Sequence, residues 1–247
     1  MKLKGGSIKA KELQTFLKES YEDPPKQNIL GYELDYELSS QSIFNKQMTA
    51  RVYVNENEQK VMITHRGTGM EMHGTDWLNN AVYAASTAAY KLTPRFKRAK
   101  LVQDMAIEKY SAFEINSIGH SQGGMIVHLL NSPEIKNSIG FNPASKNEIL
   151  GKNEYIIRSS GDAVSALSVP NKMMNETLYP GWTKRHLITI EDKTGNPISE
   201  HSPSILDRLD PELKIGKGVN KLRKLKGYTI NTQMLGGCSC QKMKGAK

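Results

Sequence analysis

The sequence predicts an α/β protein with a mixed, mostly parallel central sheet flanked by helices. Three observations carry this. Two short β-branched runs flank a polar turn near residue 57, the mark of a hairpin. Beyond Thr93, apolar strand-like runs alternate with helix-like stretches, the pattern of strands joined by crossover helices. A Gly-x-Ser-x-Gly sequence then lies where one such strand meets the next helix. Composition agrees: 247 residues, 38% hydrophobic and 24% charged, form an ordinary globular chain. Two cysteines exclude a disulfide-built scaffold and a four-thiolate zinc site.

The elements follow in order. An amphipathic helix over 9–21 is expected to stop before Asp23-Pro24-Pro25, and residues 1–27 are read as an N-terminal extension. From Gly31 the pattern is extended. Ala50-Arg51-Val52-Tyr53-Val54 and Val61-Met62-Ile63-Thr64 form the hairpin. After Thr75, Trp77, Leu78, Ala81, Val82, Ala85 and Ala88 recur at helical spacing. Thr93-Pro94 opens a helix to about Tyr110, with proline at its first position. A buried strand over 113–118 leads into a turn and a helix over 121–130. Ile139-Gly140-Phe141, Tyr155-Ile156-Ile157 and Leu187-Ile188-Thr189-Ile190 read as the later strands. The main globular body is thus placed at 28–210.

The net charge of +9 is unevenly spread. Residues 211–247 hold nine Lys and Arg against one acidic residue, Glu212, so the body is near neutral. That Lys- and Gly-rich stretch is expected to be a flexible tail. No secretory signal and no membrane-spanning run is visible, so a cytoplasmic or virion-associated location is expected.

Gly119-His120-Ser121-Gln122-Gly123 matches the nucleophile elbow, followed by a further small residue, Gly124. The chemistry needs serine on a sharp strand-to-helix turn, with glycines where side chains would strike the adjacent strand and helix. A tight turn with an idle serine is the bland alternative.

A serine nucleophile needs a base and a group to orient it, and in α/β-hydrolases these follow in the order Ser, Asp or Glu, His. Asp162 comes directly after the 155–158 strand, and His201 in a polar loop beyond the 187–190 strand. His65 and His73 precede the nucleophile; His120 is inside the elbow, His128 on the helix behind it, and His186 heads a strand. Asp192 and Asp207 are the rival acids. Two backbone N–H groups must also face the developing oxyanion. Gln122, at the helix start, offers one; the loop His65-Arg66-Gly67-Thr68-Gly69 offers the other, assigned to Thr68. No metal and no cofactor is called for.

Together these residues resemble the class 3 lipase family, the fungal- and plant-type lipases of the α/β-hydrolase fold, over about 30–209. The resemblance rests on Arg66-Gly67-Thr68 after a strand with Asp76-Trp77 beyond, on Gly119-His120-Ser121-Gln122-Gly123-Gly124, on Asp162 then His201, and on Phe141-Asn142-Pro143-Ala144. It implies the triad Ser121, Asp162 and His201, the oxyanion donors Thr68 and Gln122, and a lipid or other acyl-ester substrate. It also implies a lid near Met70, Met72, Trp77 and Leu78; an amphipathic helix packed on the sheet is the alternative there. His65 departs from the aromatic or aliphatic residue usual before Arg-Gly-Thr.

Both ends carry a large aliphatic residue followed by any residue and Gly-Gly: Leu3-Lys4-Gly5-Gly6 and Met234-Leu235-Gly236-Gly237. This resembles the cleavage signal of adenovirus-type maturation proteases, implying cuts after Gly6 and Gly237 and a virus-encoded member; plain glycine linkers are the alternative. The 211–247 tail suits peripheral contact with an anionic membrane or simple solvation. Nucleic acid is not the expected partner. Two rival functions stand: a non-catalytic virion-associated protein binding membrane or nucleic acid on a hydrolase fold, and a short-chain carboxylesterase or thioesterase.

Overall fold

The computed structural model describes residues 6–44, 46–68, 90–144, 150–166, 177–178, 186–216 and 228–229. Strand β1 (Ile8–Lys9) leads directly into helix α1 (Ala10–Glu19). Two short strands, β2 (Asn28–Ile29) and β3 (Tyr32–Leu34), are followed by helix α2 (Tyr36–Ser40) and the small hairpin β4 (Ile43–Phe44) and β5 (Gln47–Met48). The long hairpin is β6 (Ala50–Asn55) and β7 (Lys60–His65). Then come α3 (Pro94–Lys109), β8 (Glu114–His120), α4 (Gln122–Leu129), β9 (Ile135–Phe141), β10 (Glu154–Ser159) and the short α5 (Ala163–Ala166). Strand β11 (Leu187–Ile190), helix α6 (Pro197–His201), a 3-10 turn over Pro203–Arg208, β12 (Lys214–Ile215) and β13 (Tyr228–Thr229) complete the order.

The central sheet has nine strands in the order β13-β11-β10-β9-β8-β7-β6-β3-β2. Strands β7 through β11 run parallel, with Thr64 opposite Ile118, Ile118 opposite Ile139 and Ile157 opposite Ile188. Both edges are antiparallel. This is the α/β-hydrolase architecture that the sequence predicts: a mixed, mostly parallel sheet, flanked by helices, with the elbow between β8 and α4.

The parallel strands are buried on both faces, which is why they read as nearly continuous apolar runs. Period-two alternation divides them. Tyr53 and Met62 pack with Leu13, Phe16 and Leu17 of α1, while Val52, Val54, Val61 and Ile63 pack with Val102 and Ala106 of α3. Helix α3 starts as its sequence predicts, the Thr93 hydroxyl accepting from Phe96 N–H at 3.2 Å with Pro94 at the first position.

Two expected boundaries shift. The helix assigned to an N-terminal extension is part of the core, with Leu13, Phe16 and Leu17 fully buried. Its amphipathic face finds its apolar partner on the sheet, a pairing that local composition does not reveal. The start of the expected tail is likewise ordered: Ile8 pairs with Ile215, Ala10 N–H donates to Leu213 carbonyl at 2.8 Å, and β13 adds to the β11 edge. Leu213 and Ile215 are isolated apolar residues in a basic stretch, yet they suffice to anchor it. No helix among the described residues is long and apolar enough to cross a membrane.

Candidate active site

Every sequence-predicted catalytic and oxyanion residue that is described lies beyond the C-terminal end of a parallel strand. Thr68 follows β7, Ser121 follows β8, Asp162 follows β10 and His201 comes after β11. Open α/β sheets place their ligands along this edge, where successive loops converge.

Ser121 sits at the N-cap of α4 with φ 55° and ψ −120°. For a residue with a Cβ this is strained backbone, costing about 1–3 kcal/mol, and it persists only where surrounding contacts over-determine it. Those contacts are present: Ser121 N–H donates to Phe141 carbonyl at 3.0 Å, and Ser121 carbonyl accepts from Ala144 N–H at 3.2 Å. The glycines have the reason the motif demands. A Cβ on Gly119 would lie 2.3 Å from Gly123 carbonyl oxygen, and one on Gly123 would lie 2.0 Å from His65 carbonyl oxygen. Only bare backbone lets α4 cross β7 and β8 so closely.

His201 and Asp162 meet directly, His201 Nδ1–H donating to Asp162 Oδ1 at 2.9 Å. Both are buried. Asp162 is fixed in turn, its Oδ1 accepting Val164 N–H at 3.0 Å. The segment carrying His201 is held from behind by Glu200, whose fully buried carboxylate receives both Arg208 Nη groups at 2.9 and 2.8 Å, the Thr194 hydroxyl at 2.9 Å and the Ser159 hydroxyl. Burial opposes ionisation of Glu200, but the hydrogen bonds from Arg208, Ser159, Thr194 and Lys193 N–H outweigh it and hold the carboxyl far below its usual range. Asn142 ties the same segment to the sheet: its Nδ2 donates to the carbonyls of Glu200 at 2.9 Å and His201 at 3.3 Å, and its Oδ1 accepts Ser159 N–H at 2.8 Å.

The loop after β7 lies against the elbow. A Cβ on Gly67 would fall 3.1 Å from Ser121 Cβ, and Thr68 Oγ1 donates to Gln122 Oε1 at 3.3 Å. Arg95, at the start of α3, donates through Nη2 to the carbonyls of Arg66 and, at 3.2 Å, of Gly67. In a trans peptide the carbonyl and the following N–H point in opposite directions. Arg95 therefore turns the Gly67 and Thr68 N–H groups away from α3. The Gly67 N–H is taken by the Tyr21 hydroxyl at 3.0 Å. Gln122 N–H belongs to the first turn of α4, where N–H groups have no intrahelical partner and the helix dipole favours negative charge.

The rival residues have other employment. His128 Nδ1 faces Glu154 Oε1 at 3.1 Å, and His186 bonds the Glu154 carbonyl at 2.8 Å and stacks on Tyr155. Asp207 pairs with Lys18, and Asp192 caps a turn at Thr194 and Gly195. His65 is buried at the end of β7 with no hydrogen-bond partner among the described residues on either ring nitrogen; burial, then the Arg95 charge, pushes its pKa down to about 3. Among the described residues, no three or more His, Cys, Asp or Glu side chains converge to hold a metal ion. His73 and the lid candidates Met70, Met72, Trp77 and Leu78 lie outside the described residues. Tyr21, Arg95, Asn142 and Glu200 were not singled out by sequence reasoning. Asn142 lay within a noted motif and Glu200 beside the predicted histidine, the only local signals any of them offered.

Fold and site together define an α/β-hydrolase scaffold with a serine elbow. Solved structures similar to this chain include the Lip2 lipase from Yarrowia lipolytica, 16% identical, covering 73% of this chain and 77% of that one, with a TM-score of 0.42. The Rhizomucor miehei lipase in its propeptide complex is 14% identical over 83% of this chain and 81% of its own, with a TM-score of 0.41. A predicted CIB-like hydrolase from Thermoplasma acidophilum is 14% identical over 72% and 93%, with a TM-score of 0.40. These likenesses are too distant to assign a substrate or a residue's role. No family model matches the sequence, and no curated protein does.

Proposed function

We propose that the protein is a serine ester hydrolase acting on lipid acyl esters through a Ser121–His201–Asp162 triad and an acyl-enzyme intermediate. The observation that carries the reading is the buried His201–Asp162 hydrogen bond, with the His201 carbonyl bonded to His120, the residue before a serine held at positive φ. The strained Ser121 backbone and the His201–Asp162 pair both lie past the C-terminal ends of parallel strands, the arrangement a serine triad requires.

In this reading Ser121 Oγ attacks the ester carbonyl carbon while His201 Nε2 takes its proton. Asp162 holds the Nδ1–H tautomer and offsets the charge that forms on the ring. The Thr68 and Gln122 N–H groups receive the oxyanion. The protonated His201 then gives its proton to the departing alcohol oxygen as the C–O bond breaks. Water, deprotonated by His201, attacks the acyl-serine; as the acyl C–O bond breaks, His201 returns the proton to Ser121 Oγ and the carboxylic acid departs. The lipid part of the reading is supported by the likeness of the Arg66-Gly67-Thr68 and elbow motifs to those of lipases, and the ester part by the site geometry.

The test is labelling by a fluorophosphonate, followed by hydrolysis of p-nitrophenyl esters of increasing chain length as monomers and in emulsion. The expected result is a label lost in Ser121→Ala and activity favouring long chains. Activity confined to short chains replaces lipase with carboxylesterase. An unlabelled wild type whose salt-sensitive binding to nucleic acid or anionic vesicles vanishes on removal of 211–247 overturns the enzymatic reading.

A further inference from the structure

We propose that Tyr21 is a positioning residue that ties the oxyanion loop to the backbone of the general base, through His120; the inference rests on the serine-hydrolase reading above. The residue lies just past α1, outside every segment that the motifs single out, and its hydroxyl is engaged twice. It accepts Gly67 N–H at 3.0 Å and donates to His120 Nδ1. His120 in turn donates from Nε2 to His201 carbonyl at 2.7 Å. One continuous relay thus runs from the loop beside Ser121, through the elbow, to the histidine that Asp162 orients.

The chemistry of the relay is directional. A neutral imidazole has one donor and one acceptor nitrogen. The His201 carbonyl accepts only, so His120 must carry its proton on Nε2, and Nδ1 must find a donor. Tyr21 supplies it, and remains a donor because burial pushes its pKa well above the ordinary tyrosine range. His120 stays neutral for the same physical reason, burial first and then the nearby His201 ring, whose centroid is 4.8 Å away. A charged His120 would otherwise oppose formation of the His201 imidazolium.

Steric evidence points the same way. A Cβ on Gly67 would lie 2.3 Å from the Tyr21 hydroxyl oxygen, so the loop is pressed against it. Arg66 stacks over the Tyr21 ring at 5.2 Å and pairs with Asp23 at 2.6 Å, two residues further on. With Arg95 holding the Arg66 and Gly67 carbonyls, Tyr21 holds the Gly67 N–H from the other side. The Arg66–Gly67 peptide is thus clamped from both sides, immediately before Thr68.

Deleting the hydroxyl leaves His120 Nδ1 a buried acceptor with no donor and frees the Gly67 N–H. His120 keeps its Nε2–H on the His201 carbonyl but loses the partner that fixes the other side of its ring. Tyr21→Phe in the full chain keeps the ring that packs on His120 and under Arg66. It is expected to slow fluorophosphonate inactivation and lower kcat about 10- to 100-fold, with KM for a soluble short-chain ester changed less than about twofold. Tyr32→Phe on β3, which removes a hydroxyl bonded to Glu12 of α1, is the matched control and is expected to keep the wild-type rate. Nitrogen-15 NMR of the wild type is expected to show His120 as the Nε2–H tautomer, a measurement that needs no variant. A reactive wild type with an unaltered Tyr21→Phe rate, or His120 found as the Nδ1–H tautomer, overturns this inference alone. A wild type that reacts with neither probe overturns the hydrolase reading and this inference with it.

Discussion

His201 Nδ1 lies 2.9 Å from Asp162 Oδ1, across 39 residues of chain and two strands of the sheet. The pairing is possible because β10 and β11 are parallel neighbours, so the loops after both strands open on one edge. Asp162→Asn preserves size but presents an amide that can favour the wrong imidazole tautomer. A fall in kcat of about 10⁴-fold is expected with little change in KM, read from steady-state ester hydrolysis.

Glu200 precedes His201 and ends in a buried bidentate contact with Arg208. Glu200→Gln leaves the guanidinium half-compensated, and a loss of about 3 kcal/mol is expected in urea unfolding at neutral pH. Because the folded carboxyl is held far below its unfolded value, this contribution is complete above the ordinary glutamate range. It is lost as pH falls toward the folded value, so the variant and wild type should converge in strong acid.

The crossing of α4 over β7 depends on Gly123. Gly123→Ala would set a Cβ 2.0 Å from a backbone oxygen that cannot rotate away, and more than about 3 kcal/mol of destabilisation is expected. Gly195, at φ 63° with nothing within 4 Å of its would-be Cβ, is the contrast. Gly195→Ala is expected to cost about 1 kcal/mol from backbone strain alone. Thermal unfolding of the pair separates collision from conformation.

His65 has no hydrogen-bond partner among the described residues at either ring nitrogen, so His65→Leu is expected to be neutral or stabilising at pH 7.5. Its folded value, about 3, lies below the ordinary 6.5, so the unfolded chain binds more protons between those limits. Stability from this group is therefore complete above pH 6.5 and falls toward pH 3. At pH 4.5 the wild type should have lost about 2–3 kcal/mol that His65→Leu does not lose, measured as the difference in urea midpoints.

Phe16 on α1 is buried against Tyr32 and Tyr53, with ring centroids 5.1 and 5.2 Å away. Phe16→Ala is expected to cost about 3–5 kcal/mol, as a core aromatic would. A cost below about 1 kcal/mol in denaturant unfolding would mean the helix is an appendage after all.

The elements legible in the sequence are those whose signal is local. Thr93-Pro94 starts α3 because a hydroxyl cap and a fixed φ act within one turn. The alternation through Val52, Tyr53 and Val54 marks a two-faced strand, and Gly119 to Gly123 announces a strand–helix crossing that tolerates no side chains. Chain order alone singled out Asp162 and His201, because parallel strands deliver successive loops to one edge. Tyr21, Arg95 and Glu200 carry no such mark. Tyr21 meets His120 across 99 residues and Arg95 meets Gly67 across 28, so their partners exist only once the sheet has formed. The reach of the core was hidden for the same reason: an amphipathic helix and two apolar residues in a basic stretch look like appendages until the face they cover is present. Local sterics and hydrogen bonding thus wrote the elbow and the order of the candidate residues Ser121, Asp162 and His201 into the sequence. Tertiary packing alone decided which side chains hold those groups in place, because orientation in a buried site is set by neighbours distant along the chain.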